Sequence, residues 1–572
     1  MVRRLLIANR GEIAVRVIRA CRELGIEAIA ACTSDDAGGA PAAMADDVVR
    51  VPSYLDAGAI VVAGVGARID AVHPGYGFLS EDASFADAVV AAGLTWIGPP
   101  PSAMRLLGDK IEGRAIAERA GVPTVEGATG DDASLIDAAR RLGPPILVKA
   151  AAGGGGRGMR AVDAPSDVGA ALEAARAEAA AAFGDDRVFL ERRLSDVRHV
   201  EVQILVDAHG AGIHLGERDC SLQRRHQKVV EESPSPAVDA SLRSELGDAA
   251  VAVALEAGYV GAGTAEFLLL RDGTFRFLEM NARLQVEHPV TEAIAGVDLV
   301  HAQIAIARGE PLDVRQTDVE LRGHAIEARV YAEDPANGFL PVGNGRVERL
   351  RLPHWPGVRI DTALRERDAV TASYDPLLAK VIAHAPDRDR ALAKLVAALG
   401  AVEIVGVVTN LGFLIDALQH PDVRGAHADT SWVEEVWRPE PPSLPEGARS
   451  TADPSDPWHA FADRASSPDG VAVAGGWAQF RGWAYRIHDD DLEPVALAAP
   501  GGSLTAPMPA SVLEVATAEG DQVAAGDVVV VLEAMKMQLQ VRSPNDGTVT
   551  AVRVRPGDVV AAGDVLIEVR EP

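Results

Sequence analysis

The chain has 572 residues, a net charge of −28 at pH 7 and 48% hydrophobic residues. This length accommodates three or four domains. The strong negative charge argues against nonspecific binding to nucleic acid or to an anionic membrane, so neither is expected as a partner. Cys21, Cys32 and Cys220 are too few and too widely spaced for a disulfide framework or a zinc site. No stretch has the length of a signal peptide core or a membrane span, so a cytoplasmic protein is expected.

The N-terminal sequence begins with a pattern of strand, helix and strand. Residues 3–8 are predicted to form a buried parallel strand, and the apolar spacing from Ile13 to Leu24 predicts a helix that ends at Gly25. Residues 27–32 supply the next strand. The chain therefore opens as a doubly wound, Rossmann-like α/β domain.

The mixture of strands and helices continues to about residue 435. A strand is predicted to end near Ala71, and the run 73–81 follows it, where folds of this kind place ligand sites. The elements predicted beyond residue 320 are strands around Arg329, Val347 and Ile360 and helices near 391–399 and 410–418.

Two groups of residues suggest nucleotide binding. The glycine run 153–158 follows a predicted strand that ends in Lys149, and such a loop can close its N–H groups on phosphate oxygens. The glycines alone are as typical of a flexible turn. Glu266, Glu279 and Asn281 offer hard oxygen ligands from two predicted adjacent strands, which suits Mg²⁺ shared with ATP. The alternative, paired edge carboxylates, is disfavoured because burying acids without cations is costly.

A third group lies in one predicted turn. Arg283, Gln285 and Glu287 place a guanidinium, an amide and a carboxylate within five residues. This combination is suited to holding a small planar anion beside a base.

The C-terminal seventy residues contain an internal repeat. Eleven residues from Pro507 to Val528 recur 37 residues later, from Pro544 to Val565. Each half is predicted to form a pair of short alternating strands, and two halves make a quasi-twofold β-sandwich. Lys536 lies in the joint between the halves and is predicted at an exposed hairpin tip.

The neighbours of this lysine favour a function for it. A lysine at a hairpin tip is usually only a solvated charge. Met535 and Met537 flank Lys536, and two exposed methionines on a polar tip expose apolar surface that a partner protein can recognise.

Residues 503–569 resemble the biotinyl domains of biotin-dependent carboxylases. The resemblance rests on Ala506-Pro507-Met508-Pro509 and on Met535-Lys536-Met537, where the related lipoyl domains usually have Asp-Lys-Ala. It implies that biotin is attached covalently to Lys536. Ala510 departs from the family pattern, which commonly has Gly at this place.

Residues 1–435 resemble the biotin carboxylase module, an ATP-grasp enzyme. The motifs that support the resemblance are Asn9-Arg10-Gly11-Glu12-Ile13-Ala14, the run 73–81, Gly108-Asp109-Lys110, the glycine loop, Glu217-Arg218-Asp219-Cys220-Ser221, Gln223-Arg224-Arg225-His226-Gln227-Lys228 and the run 279–291. Ala152 and Ala282 depart from the family pattern without removing a charged group.

Together the two resemblances imply a multidomain α/β and α+β fold. The expected domains are a biotin carboxylase N-terminal Rossmann-like domain (1–108), an ATP-grasp domain (109–322) with a mobile lid at about 124–200, a biotin carboxylase C-terminal domain (323–436), a Pro-rich linker with a reduced partner-docking segment (437–502) and an all-β biotinyl domain, a flattened sandwich (503–572).

The resemblance also implies roles for individual residues. At the reaction centre, Glu287 is the expected general base, Arg329 stabilises the biotin enolate, Lys228 contacts the phosphate or bicarbonate region, Arg283, Gln285 and the Val286 backbone hold bicarbonate, and Glu266, Glu279 and Asn281 bind Mg²⁺ or Mn²⁺. The expected ATP site consists of Lys110, Lys149, Gly153, Gly154, Gly155, Gly156, Gly158, Met159, Glu191, Arg192, Leu194, His199, Gln223 and His226.

The implied reaction consumes ATP and bicarbonate. Glu287 deprotonates bicarbonate, which attacks the γ-phosphate of ATP, and the resulting carboxyphosphate breaks down to CO₂ and phosphate. That phosphate accepts a proton from biotin, which then captures CO₂. Positioning and electrostatic stabilisation supply most of the catalysis, and a closing lid excludes water.

The region between the modules is too short for a second enzyme. A carboxyltransferase needs hundreds of residues, whereas only about sixty between 436 and 502 are unassigned. Residues 437–457 contain six prolines, which predicts a stiff linker, and the aromatic segment 458–487 follows, with Trp483, Tyr485 and Ile487 alternating like a short strand. Two interpretations stay open for 458–487: a partner-docking remnant, or a small hairpin that packs on a neighbouring domain.

The layout implies the alpha subunit of an acyl-CoA carboxylase of the acetyl-, propionyl- or 3-methylcrotonyl-CoA type. The expected partners are a separate carboxyltransferase beta subunit in a hetero-oligomer and, transiently, biotin protein ligase; a dimer of biotin carboxylase modules is left open. The alternatives are a subunit of a pyruvate carboxylase and a carrier and assembly subunit without carboxylase activity.

Overall fold

The computed structural model describes most of the chain. The described residues are 2–153, 159–343, 345–371, 374–444, 470–486, 503–506, 510–534, 537–543, 545–561 and 563–570. Among them no single helix is long and apolar enough to cross a membrane; the bent pair His288–Ala295 and Leu299–Ala307, at 94°, meets that test only when its two helices are joined.

The N-terminal part is a parallel sheet with helices packed on it. Its strands are β1 (Arg4–Ile7), β2 (Glu27–Cys32), β3 (Asp47–Arg50), β4 (Ala71–His73) and β5 (Thr95–Trp96). Its helices are α1 (Gly11–Glu23), α2 (Ala40–Met44), α3 (Ala57–Gly66), α4 (Ala83–Ala91) and α5 (Pro101–Gly108). The strand order is β3-β2-β1-β4-β5 and every pairing is parallel, so the predicted doubly wound opening is confirmed. The strand predicted to end near Ala71 instead begins there.

The next part contains a small antiparallel sheet of four strands. Its elements are α6 (Lys110–Arg119), β6 (Gly127–Ala128), α7 (Asp132–Leu142), β7 (Ile146–Ala150), β8 (Met159–Val162), α8 (Val168–Phe183) and β9 (Val188–Arg192), with the strand order β6-β9-β7-β8. Asp109 caps α6 by accepting hydrogen bonds from the N–H groups of Ile111 and Glu112. This cap fixes the start of the helix at Lys110.

A single eight-stranded sheet then joins the middle of the chain to the part between residues 324 and 435. The middle elements are β10 (Arg198–Val206), β11 (Gly212–Arg224), β12 (Gln227–Ser233), α9 (Ala240–Glu256), β13 (Gly261–Leu269), β14 (Phe275–Asn281), α10 (His288–Ala295) and α11 (Leu299–Ala307). The later elements are β15 (His324–Tyr331), β16 (Glu333–Asp334), β17 (Leu340–Pro341), β18 (Gly345–Arg346), β19 (Arg349–Arg351), β20 (Val358–Thr362), β21 (Ala369–Val370), β22 (Leu377–Ala385), α12 (Arg388–Gly400), β23 (Glu403–Val405), α13 (Leu411–Gln419), α14 (Pro421–Arg424) and α15 (Trp432–Glu435). The sheet order is β14-β13-β10-β11-β12-β15-β22-β20.

The later predicted elements are confirmed, one of them in two pieces. The strands around Arg329 and Ile360 are β15 and β20, and the two predicted helices correspond to α12 and α13. The strand predicted around Val347 is two short strands, β18 and β19, with Val347 between them. Its fully buried side chain belongs to the core of this part.

Residues 470–486 form a three-stranded antiparallel sheet that packs on the part between residues 324 and 435. Its strands are β24 (Val471–Ala474), β25 (Trp477–Phe480) and β26 (Trp483–Arg486). The Gln479 amide accepts a hydrogen bond from the Ile404 N–H (2.8 Å) and donates one to the Val402 carbonyl (2.7 Å). The described part of 458–487 therefore matches the packing interpretation; 458–469 and Ile487 lie outside the described residues.

The C-terminal repeat folds as two four-stranded sheets. Its strands are β27 (Ser503–Thr505), β28 (Ala510–Val515), β29 (Gln522–Val523), β30 (Val528–Ala534), β31 (Met537–Arg542), β32 (Gly547–Val552), β33 (Val559–Val560) and β34 (Val565–Arg570). The orders β27-β34-β32-β29 and β31-β30-β28-β33 give each sheet strands from both halves, which confirms the all-β sandwich. Lys536 and Met535, between β30 and β31, lie outside the described residues.

Replacing Gln479 with Ala should destabilise the attachment of the 470–486 sheet. The change leaves a buried N–H and a buried carbonyl without their partner, so we expect the free energy of unfolding to fall by about 2–4 kcal/mol. Chemical denaturation of the full chain measures this loss. Gln522→Ala, which removes an exposed amide hydrogen-bonded to Thr548, is the control and should have little effect. Equal effects of the two changes would contradict the assignment.

Candidate active site

A buried ammonium group lies at the centre of the eight-stranded sheet. Lys228 on β12 donates hydrogen bonds to Glu266 Oε1 and Glu287 Oε1, each at 2.8 Å, and to Glu201. All three carboxylates are buried. Burial alone would lower the pKa of Lys228, but the three carboxylates raise it well above its ordinary value. Lys228 is therefore charged at neutral pH.

Glu287 lies between two cations. Its second oxygen, Oε2, accepts a hydrogen bond from the Arg329 guanidinium at 2.9 Å. Burial opposes ionisation of Glu287, but Lys228, Arg329 and Arg218 together hold its pKa well below the ordinary value. The carboxylate is thus ionised at neutral pH and can accept a proton. It occupies the position before the first turn of α10, with Pro289 in that turn, so its backbone is fixed by the start of the helix.

The turn before Glu287 collects groups that bind anions. The Arg283 guanidinium donates to Gln285 Oε1 at 2.8 Å and to Asn281 Oδ1 at 3.0 Å, and its Nε lies 3.1 Å from Glu81 Oε2. The predicted anion-holding residues therefore meet in one place, beside the carboxylate of Glu287. Glu81, from the run 73–81, is a further charged residue that the structure adds to this place.

The predicted metal ligands Glu266 and Glu279 are direct cross-strand neighbours on β13 and β14. Glu266 Oε2 lies 3.0 Å from His199 Nε2, and Glu279 Oε2 accepts a hydrogen bond from Lys110 at 2.5 Å. Burial and the charge of Glu266 act to raise the pKa of Glu279, but Lys110 outweighs them and the pKa lies below its ordinary value. Two opposed carboxylates with the amide oxygen of Asn281 nearby are the hard donors that Mg²⁺ prefers, and a divalent cation would relieve their repulsion. These residues fit the metal.

The predicted ATP residues are only partly brought together. Lys149 on β7 donates to Glu191 Oε2 on β9 at 2.8 Å, and the positive charges of Lys110 and Lys149 both lower the pKa of Glu279. Gly154, Gly155, Gly156 and Gly158 lie outside the described residues, whereas Gly153 and Met159 flank them.

Other predicted ATP residues lie at varying distance from the reaction centre. His199 contacts Glu266 directly, Gln223 is buried on β11, and His226 is near enough to His199 and Lys149 for their charges to add to burial in lowering its pKa. By contrast, Arg192 pairs with Glu126 at 2.9 Å at an exposed place on the small sheet. Leu194 follows β9 and is half-buried.

Comparison with known families assigns four parts of the chain. Residues 1–104 match "Biotin carboxylase, N-terminal domain", 109–315 match "Carbamoyl-phosphate synthase L chain, ATP binding domain", 327–435 match "Biotin carboxylase C-terminal domain" and 502–569 match "Biotin-requiring enzyme". The mitochondrial methylcrotonoyl-CoA carboxylase subunit alpha of Dictyostelium discoideum is 36% identical over 650 residues, which cover 96% of this chain and 93% of that protein. The chain belongs to the biotin carboxylases that carry their own biotinyl domain.

Two further similarities agree with this family. The propionyl-CoA carboxylase alpha chain of Ruegeria pomeroyi is 44% identical over 76% of this chain and 68% of that protein. The crystal structure of the 2-oxoglutarate carboxylase biotin carboxylase domain dimer of Hydrogenobacter thermophilus, bound to MgADP, ADP and bicarbonate, has a TM-score of 0.74 and 42% identity, and the match covers 76% of this chain and 98% of that one. This biotin carboxylase therefore uses ATP, Mg²⁺, bicarbonate and biotin.

Two charged residues of the biotin carboxylase site, Glu201 and Glu231, lie outside every motif recognised in the sequence. Glu201 on β10 is fully buried and bridges Lys228 and Arg218, and Arg218 also donates to Gln203 and Thr291. Glu231 on β12 contacts Arg329. The sequence carries a signal for Glu201, because polar residues alternate with valine along β10. The structure shows that every residue of β10 after Arg198 is buried.

The pKa of Glu231 makes a testable difference to the pH dependence of stability. Burial raises it from 4.5 to about 7, and the charge of Glu287 adds to the rise while Arg329 opposes it. At a pH between 4.5 and about 7, Glu231 therefore keeps its proton in the folded protein, whereas in the unfolded chain it has released it. The contribution of Glu231 to stability therefore falls as pH rises from about 4.5 to about 7.

We expect Glu231→Gln to lose less stability than the parent biotin carboxylase over this pH interval, because Gln keeps the shape and does not titrate. The measurement is the midpoint of thermal unfolding at a series of pH values. Glu173→Gln, at an exposed position on α8, is the control and should follow the parent curve. Parallel curves for the parent and Glu231→Gln would contradict the raised pKa.

Proposed function

We propose that this chain is the alpha subunit of an acyl-CoA carboxylase, which carboxylates biotin attached to its own Lys536 and presents it to a separate carboxyltransferase beta subunit. The observation that best supports this is one chain holding both the Lys228–Glu287–Arg329 cluster and a biotinyl sandwich. Similarity to a methylcrotonoyl-CoA carboxylase alpha subunit over 96% of the chain favours an acyl-CoA substrate of the acetyl, propionyl or 3-methylcrotonyl type.

Glu287 is proposed to take the proton of bicarbonate. It is ionised, it lies 2.8 Å from Lys228 and 2.9 Å from Arg329, and it follows the anion-binding turn directly. Arg283, Gln285 and the Val286 N–H would hold the substrate anion. Because the neighbouring cations are fixed before the reaction, they stabilise negative charge without reorganising.

The nucleotide would bind between the small four-stranded sheet and the eight-stranded sheet. Lys110 and Lys149, together with the glycine loop, are proposed to bind phosphates, and Glu266, Glu279 and Asn281 to hold the metal. When bound, Mg²⁺ or Mn²⁺ would neutralise phosphate charge during phosphoryl transfer. Glu191, Arg192 and Leu194 are proposed around the adenine, and His199, Gln223 and His226 along the nucleotide.

Arg329 is proposed to face the biotin ring. Biotin, once attached, supplies a ring nitrogen that accepts the carboxyl group. Arg329 is held by Glu287 and Glu231 in a buried position, so its guanidinium has one orientation in which to stabilise negative charge.

The domain boundaries, partners and location are part of the proposal. We propose domains at 1–108, 109–322 with a lid at about 124–200, 323–436, 437–502 and 503–572. Biotin protein ligase would act transiently, and the domain dimer of the Hydrogenobacter thermophilus enzyme supports a carboxylase dimer. A cytoplasmic location stays a prediction, since the Dictyostelium relative is mitochondrial.

A second candidate is a subunit of a 2-oxo acid carboxylase, such as a pyruvate carboxylase. The similarity to a 2-oxoglutarate carboxylase domain favours it, because the carboxylase module is shared by both classes. Assay of the purified complex with acyl-CoAs of graded length and with 2-oxo acids separates the two candidates.

Glu287→Gln should abolish most of the bicarbonate-dependent ATP hydrolysis of the isolated chain. Loss of a general base lowers kcat by about 10²–10⁴-fold. The assay measures phosphate release with free biotin and bicarbonate present. Glu310→Gln, an exposed position in the same part of the chain, is the control and should keep full activity. Unchanged activity of Glu287→Gln would remove Glu287 from the proposed role.

Biotin should be found on Lys536 after expression with a competent ligase. Peptide mass spectrometry should locate the added mass of biotin on Lys536 and on no other lysine, and Lys536→Arg should abolish it. Biotin on another lysine, or no biotin on the chain, would contradict the proposed carrier role of Lys536.

A further inference from the structure

Lys380 on β22 is a fully buried lysine outside the groups assigned above. Its Nζ lies 2.9 Å from Glu12 Oε1 and 3.9 Å from Asp361 Oδ2, and it donates a hydrogen bond to the Val286 carbonyl at 2.8 Å. Burial alone would lower the pKa of Lys380, but Glu12, Glu327 and Asp361 raise it. The group reaching Val286 is therefore a charged donor.

The Val286 carbonyl belongs to the peptide bond that joins Val286 to Glu287. A second buried side chain holds the preceding peptide, because His288 Nδ1 donates to the Gln285 carbonyl at 2.7 Å. The two peptide groups on either side of Val286 are thus each held by a hydrogen bond from a buried side chain, that of His288 for the first and that of Lys380 for the second. The first carries the Val286 N–H, which is proposed to bind bicarbonate, and the second sets the direction of Glu287.

The contact also joins three parts of the chain. Glu12 comes from the N-terminal parallel-sheet part, Val286 from the ATP-binding part and Lys380 from the C-terminal carboxylase part. Tyr76 donates a hydrogen bond to Glu12, the residue that holds Lys380. The loop of Tyr76 is in turn fixed by the Asn9 amide, which donates to the Tyr76 carbonyl at 2.8 Å.

These contacts give a role to three residues of the two N-terminal motifs, Asn9, Glu12 and Tyr76. In the run 73–81 it is Glu81 that contacts the anion-binding turn, through Arg283. Among the contacts described, Asn9, Glu12 and Tyr76 touch no group proposed to bind substrate. They instead form a chain of hydrogen bonds that ends on Lys380. A purely structural ion pair would be satisfied by Glu12 alone, and the bond to Val286 is the feature that such a role does not require.

We propose that Lys380 is a positioning residue for bicarbonate activation: it fixes the Val286–Glu287 peptide, so that the Glu287 carboxylate keeps its reactive direction beside the anion-binding N–H of the preceding peptide. This inference rests on the proposed function. Lys380 would act through the turn and not on ATP, so its loss should affect bicarbonate much more than nucleotide.

Lys380→Met keeps the length and apolar stem of the side chain and removes the donor. Because a misplacement of about 1 Å can cost 10²-fold, we expect kcat/KM for bicarbonate to fall by about 10²-fold and KM for MgATP to stay within about twofold. Lys394→Met is the matched control. Lys394 also donates to backbone carbonyls of the same part, of Pro356 and His384, but not to the turn, so its bicarbonate kinetics should stay unchanged.

A double variant separates positioning from charge balance, and keeps the test usable if Lys380→Met folds poorly because Glu12 is left unpaired. Glu12→Gln with Lys380→Met removes both charges and should restore thermal stability. The positioning role predicts that kcat/KM for bicarbonate stays lowered in the double variant. Recovery of normal bicarbonate kinetics, or an equal loss for bicarbonate and MgATP, would overturn the inference and leave a structural ion pair.

The parent chain is assayed first, so the two proposals fail differently. Absence of bicarbonate-dependent ATP hydrolysis in the parent would count against the proposed function. A parent with normal activity and a Lys380→Met variant with unchanged kinetics would overturn the positioning role alone.

Discussion

The reaction centre depends on the balance of charge around Lys228. Three buried carboxylates, those of Glu201, Glu266 and Glu287, converge on its ammonium group. Carboxylates so close in a dry interior repel one another, and each is costly to bury. Arg218 and Arg329 add two further positive charges to that of Lys228, so the carboxylates stay ionised. As a consequence, Glu287 is a carboxylate with a low pKa beside fixed cations. The same cations are available to stabilise an anionic substrate.

The eight-stranded sheet makes this balance achievable. Glu201, Lys228, Glu266 and Arg329 stand on β10, β12, β13 and β15, four strands of the same sheet, although they span 129 positions of the sequence. The sheet crosses from the ATP-binding part into the C-terminal carboxylase part between β12 and β15. The two parts therefore cannot separate without breaking backbone pairing in the site. The small sheet at 127–192 shares no strand with the large one, so it can move without breaking the pairing of the large sheet. This agrees with the lid proposed for nucleotide entry.

The sequence predicted the local elements and the chemistry better than the long-range arrangement. Apolar runs and helical spacing located β2, α1, β7 and the paired strands of Glu266 and Glu279, because these patterns reflect local burial. No local pattern reveals that β12 pairs with β15, since 90 residues separate them. The same limit hid the contact of Glu231 with Arg329 and of Lys380 with Val286. Near Val347 the apolar pattern predicts one strand where the structure has two short ones, β18 and β19, because a local pattern does not show where a strand is interrupted.

Transfer of bicarbonate carbon to the biotin on the chain's own Lys536 tests the central claim most directly. The biotinylated chain is incubated with ATP, Mg²⁺ and radiolabelled bicarbonate, and protein-bound label is measured under mildly alkaline conditions. The account predicts label that requires ATP and is absent from the Lys536→Arg chain. A biotinylated parent that stays unlabelled, or a Lys536→Arg chain labelled as strongly as the parent, would contradict it.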